Sequence, residues 1–161
     1  MDGVDPAKDP RGYRDALGTF ATGVTVVTTA SDEGPVGITA NSFASVSLEP
    51  PLVLWMPAKS SKRFKYFETA RHFAIHVLDG HQQQVCNGFS RDKAAFEDLD
   101  WVTGDHGVPH IEGCLARFEC TLHETHDAGD HLIILGRVDW ASFRPGLPLL
   151  FQSGRFVSFK G

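Results

Sequence analysis

Apolar residues recur with helical spacing near the start of the chain and with strand spacing over most of the remainder. Between Arg11 and Phe20 they occupy positions 13, 16, 17 and 20, which predicts a short amphipathic helix that Gly23 ends. Runs rich in β-branched and apolar residues predict strands at 24–29, 36–40, 52–56 and 73–78. The run at 52–56 is apolar throughout, so we expect this strand to be covered on both faces.

The second half of the chain continues the strand pattern. Apolar and polar residues alternate from Cys114 to His123, which places Cys114 and Cys120 on the face that points into the core. The polar segment 90–112 has the length of a functional loop without regular structure. Further helices are predicted at 61–70 and 81–89, and further strands at 131–143, 149–151 and 156–159.

These elements define the predicted fold class. About seven strands accompany three short helices, and strands and helices do not alternate as they do in a dinucleotide-binding fold. We therefore expect a mainly β protein, a Greek-key-like antiparallel barrel with a few short flanking helices. Residues 1–10 are polar with two prolines and are predicted to form a loose tail, whereas residues 11–161 are predicted to form one domain.

Composition and charge exclude several classes of function. The formal net charge is −5, and the longest basic run is Lys62-Arg63, so we expect no nucleic-acid binding. The chain has no apolar run of the ~18–20 residues that a membrane helix needs and no secretory signal at its start. Three cysteines without a C-x-x-C spacing favour reduced thiols in the core. We expect a cytoplasmic protein that does not bind membranes.

The eight histidines do not show the spacing of a metal site. The segment from His123 to His126 resembles a zinc-protease motif but is one residue short, and it ends an alternating strand rather than lying on a helix. His72 and His76 are four residues apart but lie on a predicted strand, where this spacing lacks the helical geometry of a ligand pair. We predict no metal site.

Small polar residues interrupt two apolar strands between Thr39 and Ser47. Polar side chains in a core region must be hydrogen-bonded, because each unsatisfied group costs about 1–3 kcal/mol. A polar, planar ligand could supply the partners. A turn that bonds only to its own backbone remains the alternative.

Two further segments could take part in a ligand site. Lys59, Lys62 and Arg63 surround the serines at the predicted start of the second helix, where cations oppose the helix dipole unless a phosphate is bound; a solvated helix start is the alternative. His131 opens an apolar strand at a hairpin tip, either as a surface residue or as a hydrogen-bonding group at a cleft. Together the three segments suggest a site for a phosphorylated aromatic cofactor in a β-barrel.

Several segments, in this order along the chain, resemble the short-chain flavin reductase family, which has the FMN-binding split-barrel fold. They are Ala16-Leu17-Gly18-Thr19-Phe20-Ala21-Thr22-Gly23-Val24-Thr25-Val26-Val27-Thr28, Gly37-Ile38-Thr39-Ala40-Asn41-Ser42-Phe43-Ala44-Ser45-Val46-Ser47-Leu48-Glu49-Pro50-Pro51-Leu52-Val53, Gly129-Asp130-His131 and Pro148-Leu149-Leu150-Phe151 with Gly154. The resemblance implies NADH- or NADPH-dependent reduction of FMN or FAD. It also implies a homodimer with the flavin near the subunit interface, and a separate flavin-dependent monooxygenase that receives free reduced flavin.

The resemblance also implies roles for particular residues. His131 would contact the nicotinamide, whose C4 hydride passes to flavin N5, and Arg91 would lie close to the flavin tail. The phosphate would be held by Ser60, Ser61 and Lys62. The isoalloxazine ring would be lined by Thr39, Asn41, Ser42, Ser45, Val46 and Ser47. Because the cofactor carries the hydride chemistry, the protein needs to supply position and electrostatics rather than an acid or a nucleophile.

Two departures from the family pattern and two other functions remain open. Arg155 stands before Phe156 where relatives often have an aromatic residue, and three glutamines at 82–84 make the third helix more polar than expected. One alternative function is a flavoenzyme that retains FMN and reduces another substrate, such as a small organic molecule or a metal-bound corrinoid. The other is a flavin-binding carrier or sensor that does not turn over.

Overall fold

The structure is a computed structural model that describes residues 3–91 and 93–158. Within these ranges it is mainly β, with short flanking helices, as the sequence predicts. The helices are α1 (Pro10–Gly18), α2 (Phe64–Glu68) and α3 (Gln83–Arg91). The strands are β1 (Thr22–Gly23), β2 (Thr25–Ser31), β3 (Gly34–Ala40), β4 (Ala44–Leu48), β5 (Pro51–Trp55), β6 (His72–Val77), β7 (Trp101–Thr103), β8 (Pro109–Ile111), β9 (Ala116–Ala128), β10 (His131–Phe143), β11 (Leu150–Gln152) and β12 (Arg155–Val157).

One large antiparallel sheet organises the molecule. Its strand order is β3-β2-β6-β9-β10-β5-β4, and a small sheet of order β1-β11-β12 joins the two ends of the chain. The long β9–β10 hairpin forms its centre, with two register shifts along its length. β10 pairs with β5 only between Ile134 and Arg137 and then continues to Phe143. The end of β10 therefore extends past β5.

Two apolar cores lie against the sheet. The first contains Trp55, Phe67, Phe73, Ile75 and Cys120, and the tight approach of Phe73 to β10 requires a glycine there. A Cβ atom on Gly136 would lie 2.6 Å from Cζ of Phe73 and 3.0 Å from Cβ of Cys120, which well-packed side chains cannot accommodate. The second core combines residues of β2, α3 and β8 with residues from the segments beside the strands and from the first 3₁₀-helix, namely Val24, Val26, Leu78, Cys86, Phe89, Phe96, Ile111 and Leu149.

The three cysteines are free thiols, as predicted. Cys86 and Cys120 are buried, whereas Cys114 is only half-buried and packs against the second core, so it does not share the face of Cys120. Loss of hydration on burial raises the pKa of Cys114 to about 11 and that of Cys120 to about 12, and it also raises the pKa of Cys86. All three thiols are therefore protonated at neutral pH.

The prediction of a structureless loop over 90–112 is wrong. This segment contains two short 3₁₀-helices (Lys93–Phe96 and Asp105–Gly107) and the β7–β8 hairpin. Side chains of the large sheet fix the hairpin: the Thr28 hydroxyl donates to the Pro109 carbonyl at 2.6 Å, and the Ile111 N–H donates to Nε2 of His76 at 3.1 Å. These partners are distant in sequence, so local composition does not reveal them.

Several predicted boundaries also shift. The second helix, predicted at 61–70, comprises only the five residues of α2. The Ser61 hydroxyl accepts the Arg63 N–H, so residues 61–63 form a turn before the helix begins. The first helix ends at Gly18 because the Thr19 N–H and hydroxyl both bond back to the Ala16 carbonyl. Strand β5 is not covered on both faces in this chain, since Leu52 and Leu54 remain partly exposed. None of the described helices is long and apolar enough to cross a membrane.

Candidate functional site

A groove of about 880 Å³ opens where the two ends of the chain meet the β3–β4 turn. Its size lies within the range of small-molecule and cofactor sites. Apolar side chains form most of its wall, and polar groups lie among them. The lining residues that matter for the site are Arg14, Leu17, Phe20, Thr22, Asn41, Ser42, Leu54, Met56 and Phe151.

Ser42 fixes the position of the turn that carries Asn41. Its hydroxyl accepts the Met56 N–H at 2.9 Å and donates to the Met56 carbonyl at 3.2 Å. The turn is therefore attached to the end of β5, and Asn41 remains exposed at the groove. Ser42 satisfies its hydrogen bonds within the protein, which combines the two alternatives of the sequence: it stabilises a turn and also lines a ligand-sized groove.

The chain beyond Met56 connects the groove to the tip of the β9–β10 hairpin. The Leu132 N–H donates to the Pro57 carbonyl at 3.1 Å, and the Lys59 N–H donates to the Asp130 carbonyl at 2.9 Å. Ala58 and His131 form an antiparallel bridge between these bonds. The structure thus brings together the β3–β4 turn, the serine-rich loop and His131, three segments that the sequence separates widely.

His131 lies at the hairpin tip, paired with Ala58 two residues beyond the groove residue Met56, and its side chain is 43% exposed. Its Nδ1 atom contacts Oδ1 of Asp130 at 2.7 Å, so Nδ1 carries the proton and donates to the carboxylate. This hydrogen bond lowers the pKa of Asp130, which keeps the acceptor ionised. The other ring nitrogen, Nε2, is left as the one that can face a ligand.

The other predicted phosphate-binding residues lie in the same loop, though not at a helix start. Ser60 and Lys62 are exposed, and Ser61 is half-buried. Because α2 begins only at Phe64 and is five residues long, the helix-dipole argument for this loop does not apply. A phosphate here would depend on side-chain hydroxyls, the Lys62 ammonium and loop N–H groups. The side chain of Arg91 lies outside the described part of the structure.

The remaining predicted ring-lining residues occupy different positions. Thr39 is directed away from the turn, because its hydroxyl donates to the Cys86 carbonyl of α3 at 2.8 Å. Ser45, Val46 and Ser47 follow Ala44 along β4, where a bulge separates Ser45 from Ser47. Val46 and Ser45 are exposed, and the Ser47 hydroxyl accepts the Glu49 N–H at 3.2 Å.

The groove has the chemistry that an aromatic cofactor requires. Leu17, Leu54 and Phe151 offer apolar surface for a ring, and the Asn41 amide offers a donor and an acceptor for a polar ring edge. The Thr22 hydroxyl oxygen, also in the lining, is buried without a hydrogen-bond partner among the described residues. Such an atom is costly unless a ligand or water supplies a partner. These residues therefore fit a flavin.

The sequence reasoning missed the part of the groove that comes from the chain ends. Arg14, Leu17 and Phe20 come from α1 and the residues after it, and Phe151 comes from β11. The sequence carries one signal for it, the amphipathic pattern of the predicted helix. In the structure none of the residues of α1 is buried, and Leu17 is 57% exposed. An apolar helix face that the fold leaves open indicates a ligand or a partner.

A second pocket, of about 470 Å³, contains several histidine and acidic side chains and shares none of its lining residues with the groove. His72 and His106 stack here with ring centroids 3.7 Å apart, and His110 lies 3.7 Å from a Glu119 carboxylate oxygen. Loss of hydration lowers the pKa of His72 and of His110. Among the described residues, no group of three or more histidine, cysteine or acidic side chains is arranged to hold a metal ion.

The chain belongs to the flavin reductase-like family, because the model of the flavin reductase like domain matches residues 17–160. It is similar to the FMN reductase (NADH) SmoA of Agrobacterium fabrum, with 56% identity over 156 residues that cover 97% of this chain and 90% of that protein. It is also similar to HsaB, the reductase subunit of a flavin-dependent monooxygenase of Rhodococcus jostii, with 44% identity covering 96% and 80% of the two chains.

The solved structures agree with this assignment. The NADH:FAD oxidoreductase SgcE6 of Streptomyces globisporus, in complex with NAD and FAD fragments, superimposes with a TM-score of 0.93 at 40% identity, covering 99% of this chain and 98% of that chain. The predicted split-barrel fold, the predicted family and the predicted class of enzyme, an oxidoreductase of the flavin reductase type, are confirmed. The roles of the individual residues stay predictions.

Proposed function

We propose that this protein is an NADH-dependent flavin reductase that binds free FMN or FAD as a substrate and releases the reduced flavin to a separate monooxygenase. The observation that supports this most is the junction of the apolar groove, the serine-rich loop and His131 in one continuous hydrogen-bonded region. The names of the relatives, an NADH-dependent FMN reductase and a monooxygenase reductase subunit, agree with it.

Each segment of the junction has a distinct task. Asn41 and the groove wall orient the flavin ring and exclude water from one face, while Ser45, Val46, Ser47 and Thr39 shape and support the turn beside it. Ser60, Ser61 and Lys62 hold the phosphate, with Arg91 near the flavin tail. His131 holds the nicotinamide through Nε2. When both are bound, the flavin accepts a hydride from the nicotinamide, and the protein contributes positioning.

We also propose a homodimer, supported by exposed apolar side chains at one end of the large sheet. Leu48 is 95% exposed and Phe143 is 89% exposed, and Trp140 on the same extension of β10 is 64% exposed. A second copy would remove this surface from water, a gain of about 25 cal/mol for each Å² of apolar area. Sedimentation of the purified protein at several concentrations tests it: a monomer throughout contradicts the dimer.

NADH is a reductant that enzymes use inside the cell, and three free cysteines are typical of proteins in a reducing compartment. We therefore place this reductase, a domain of residues 11–161, in the cytoplasm. NADH over NADPH and FMN over FAD are choices that steady-state rates with each of the four pairs would establish.

The experiment that tests this function follows NADH consumption by absorbance while free FMN, and then FAD, is raised. We expect the rate to saturate with added flavin. Lys62→Ala should raise the flavin KM by about three- to tenfold, the effect of one lost hydrogen bond from an exposed side chain, and leave the NADH KM unchanged. Lys65→Ala is the matched control, since that ammonium is exposed and pairs with Glu33 at 3.1 Å.

Two outcomes would replace this proposal. A protein that purifies with tightly bound FMN and oxidises NADH without a dependence on added flavin is the flavoenzyme that retains its cofactor. A protein that binds flavin but consumes neither NADH nor NADPH is a carrier or a sensor. Equal effects of Lys62→Ala and Lys65→Ala on the flavin KM would remove the phosphate role from Lys62.

A further inference from the structure

The tip of the β9–β10 hairpin is held by a lysine whose task the proposed function does not explain. Nζ of Lys59 donates to Oδ2 of Asp127 at 2.5 Å and to the Gly129 carbonyl at 2.7 Å. Oδ1 of the same aspartate accepts the Gly129 N–H at 3.3 Å. Three hydrogen bonds thus surround Gly129, whose φ of +71° is the left-handed conformation that glycine adopts without strain.

Lys59 belongs to the predicted phosphate loop, but its ammonium is directed to the hairpin. Its backbone N–H is bonded to the Asp130 carbonyl, so both ends of this residue contact the same turn. The bond from the ammonium holds the pKa of Asp127 below its usual value, which keeps the carboxylate available as an acceptor. Lys59 therefore differs from Lys62, whose side chain is exposed in the same loop.

Asp130 completes the arrangement on the other side of His131. Its backbone carbonyl is bonded to Lys59, and its carboxylate accepts from Nδ1 of the histidine at 2.7 Å. The first contact fixes where the residue lies, and the second fixes which ring nitrogen carries the proton and how the ring is turned. Both contacts leave Nε2 as the ring nitrogen available to a ligand.

We propose that Lys59 and Asp130 are positioning residues for His131: Lys59 fixes the hairpin tip against the phosphate loop, and Asp130 sets the orientation and the tautomer of the ring. The inference rests on the proposed function, in which His131 contacts the nicotinamide. It assigns Lys59 to the nicotinamide side of the site rather than to the flavin phosphate. It also links the nicotinamide side of the site to the flavin side. Lys59 holds the hairpin that carries His131, and it lies in the loop proposed to bind the flavin phosphate.

The first test uses the protein without ligands and does not depend on turnover. A long-range ¹H–¹⁵N spectrum of the histidine side chains reports which ring nitrogen of His131 carries the proton. We expect the Nδ1–H form in the wild type and in Asp130→Asn, whose amide oxygen can still accept, and its loss in Asp130→Ala. Amide hydrogen exchange at Gly129 and His131 should accelerate in Lys59→Met and remain near the wild-type rate in Lys59→Arg.

The second test measures the KM for NADH and for flavin in the same variants. We expect Lys59→Met and Asp130→Ala to raise the NADH KM by about three- to tenfold, with the flavin KM unchanged and recovery in Lys59→Arg and Asp130→Asn. Asp127→Asn combined with Lys59→Met should have no larger effect than Lys59→Met alone, since both substitutions act on the same contact between Lys59 and Asp127. Lys65→Met, which removes an ion pair elsewhere, is the matched control.

Each result decides a separate question. Unchanged histidine spectra and exchange rates in Lys59→Met and Asp130→Ala would overturn the positioning roles, whatever the kinetics show. A raised flavin KM in Lys59→Met with an unchanged NADH KM would return Lys59 to the phosphate site. If the spectra change as expected but the wild type oxidises neither nicotinamide, the proposed function fails while the positioning of the ring stands.

Discussion

His131 and His76 show how differently this fold treats two histidines. His131 lies at the tip of the β9–β10 hairpin, with its ring partly exposed and its Nδ1 atom hydrogen-bonded to the exposed Asp130 carboxylate. His76 is completely buried in β6, where Nδ1 donates to the Val26 carbonyl at 3.1 Å and Nε2 accepts the Ile111 N–H at 3.1 Å. Both nitrogens of His76 are used by the protein, whereas His131 keeps one for a ligand.

The hydrogen-bond partners of a histidine therefore indicate whether it is structural or ligand-binding more clearly than its burial or its neighbours in sequence do. His76 connects the large sheet to the β7–β8 hairpin and is a structural residue. The stacked His72 and His106 lie between these extremes, since they line a pocket but also contact each other. Only a ring with an available nitrogen beside a ligand-sized groove has the geometry of a binding residue.

The largest expected effect concerns acid stability and the burial of His76. Loss of hydration lowers the pKa of His76 from 6.5 to about 3 in the folded protein. Below pH 6.5 the unfolded chain takes up a proton that the folded protein does not, so this group's contribution to stability is complete above pH 6.5 and is lost as pH falls toward 3. The free energy of unfolding should fall by up to about 1.4 kcal/mol for each pH unit in this window.

Denaturant unfolding at a series of pH values measures this slope. The lowered pKa values of His72 and His110 act in the same direction and steepen it near the upper end of the window. His76→Gln, which retains a donor and an acceptor, should flatten the slope. A histidine spectrum in which the His76 ring becomes charged while the protein is still folded at pH 5 would contradict the prediction, even if the variant does not fold.

The next effect concerns the nicotinamide and tests the other side of the comparison. His131→Ala should raise the NADH KM or slow hydride transfer by about tenfold, because a hydrogen bond to a polar ligand is lost. Flavin affinity and the free energy of unfolding should remain near their wild-type values, since the ring supports no packed core. Stopped-flow reduction and flavin titration measure the two quantities, and an unchanged reduction rate with an unchanged NADH KM would remove the role.

The smallest effect is expected at His126, an exposed residue of β9 that lies 3.6 Å from a Glu124 carboxylate oxygen. This pair resembles the contact between His131 and Asp130, but His126 is paired with Ile133 of β10, whereas His131 is paired with Ala58 of the serine-rich loop. His126→Ala should leave KM, kcat and the free energy of unfolding within the experimental error of each measurement, because exposed ion pairs contribute about 0–1 kcal/mol. A raised NADH KM in this variant would show that an exposed histidine beside a carboxylate affects nicotinamide binding even away from the serine-rich loop.

The sequence predicted the strands that apolar residues define and missed the elements that distant partners define. The predicted bounds of β10 match the observed ones, because a clear turn at 127–130 precedes an apolar run that begins at Leu132. The β7–β8 hairpin was missed because Thr28 and His76, far away in the chain, supply its partners. In the site, Asn41, Ser42 and His131 could be found from local patterns. Leu17 and Phe151 could not, because the groove exists only after the chain ends meet.

The protected state of the three thiols matters for an enzyme of this chemistry. Reduced flavin reacts with dioxygen to give hydrogen peroxide, and peroxide attacks the thiolate form of cysteine. With a pKa of about 11, only about one Cys114 side chain in ten thousand is ionised at neutral pH, and the fraction is smaller for Cys120. Because burial keeps these cysteines in the protonated form, which reacts slowly with peroxide, we expect them to form little sulfenic acid wherever reduced flavin meets dioxygen.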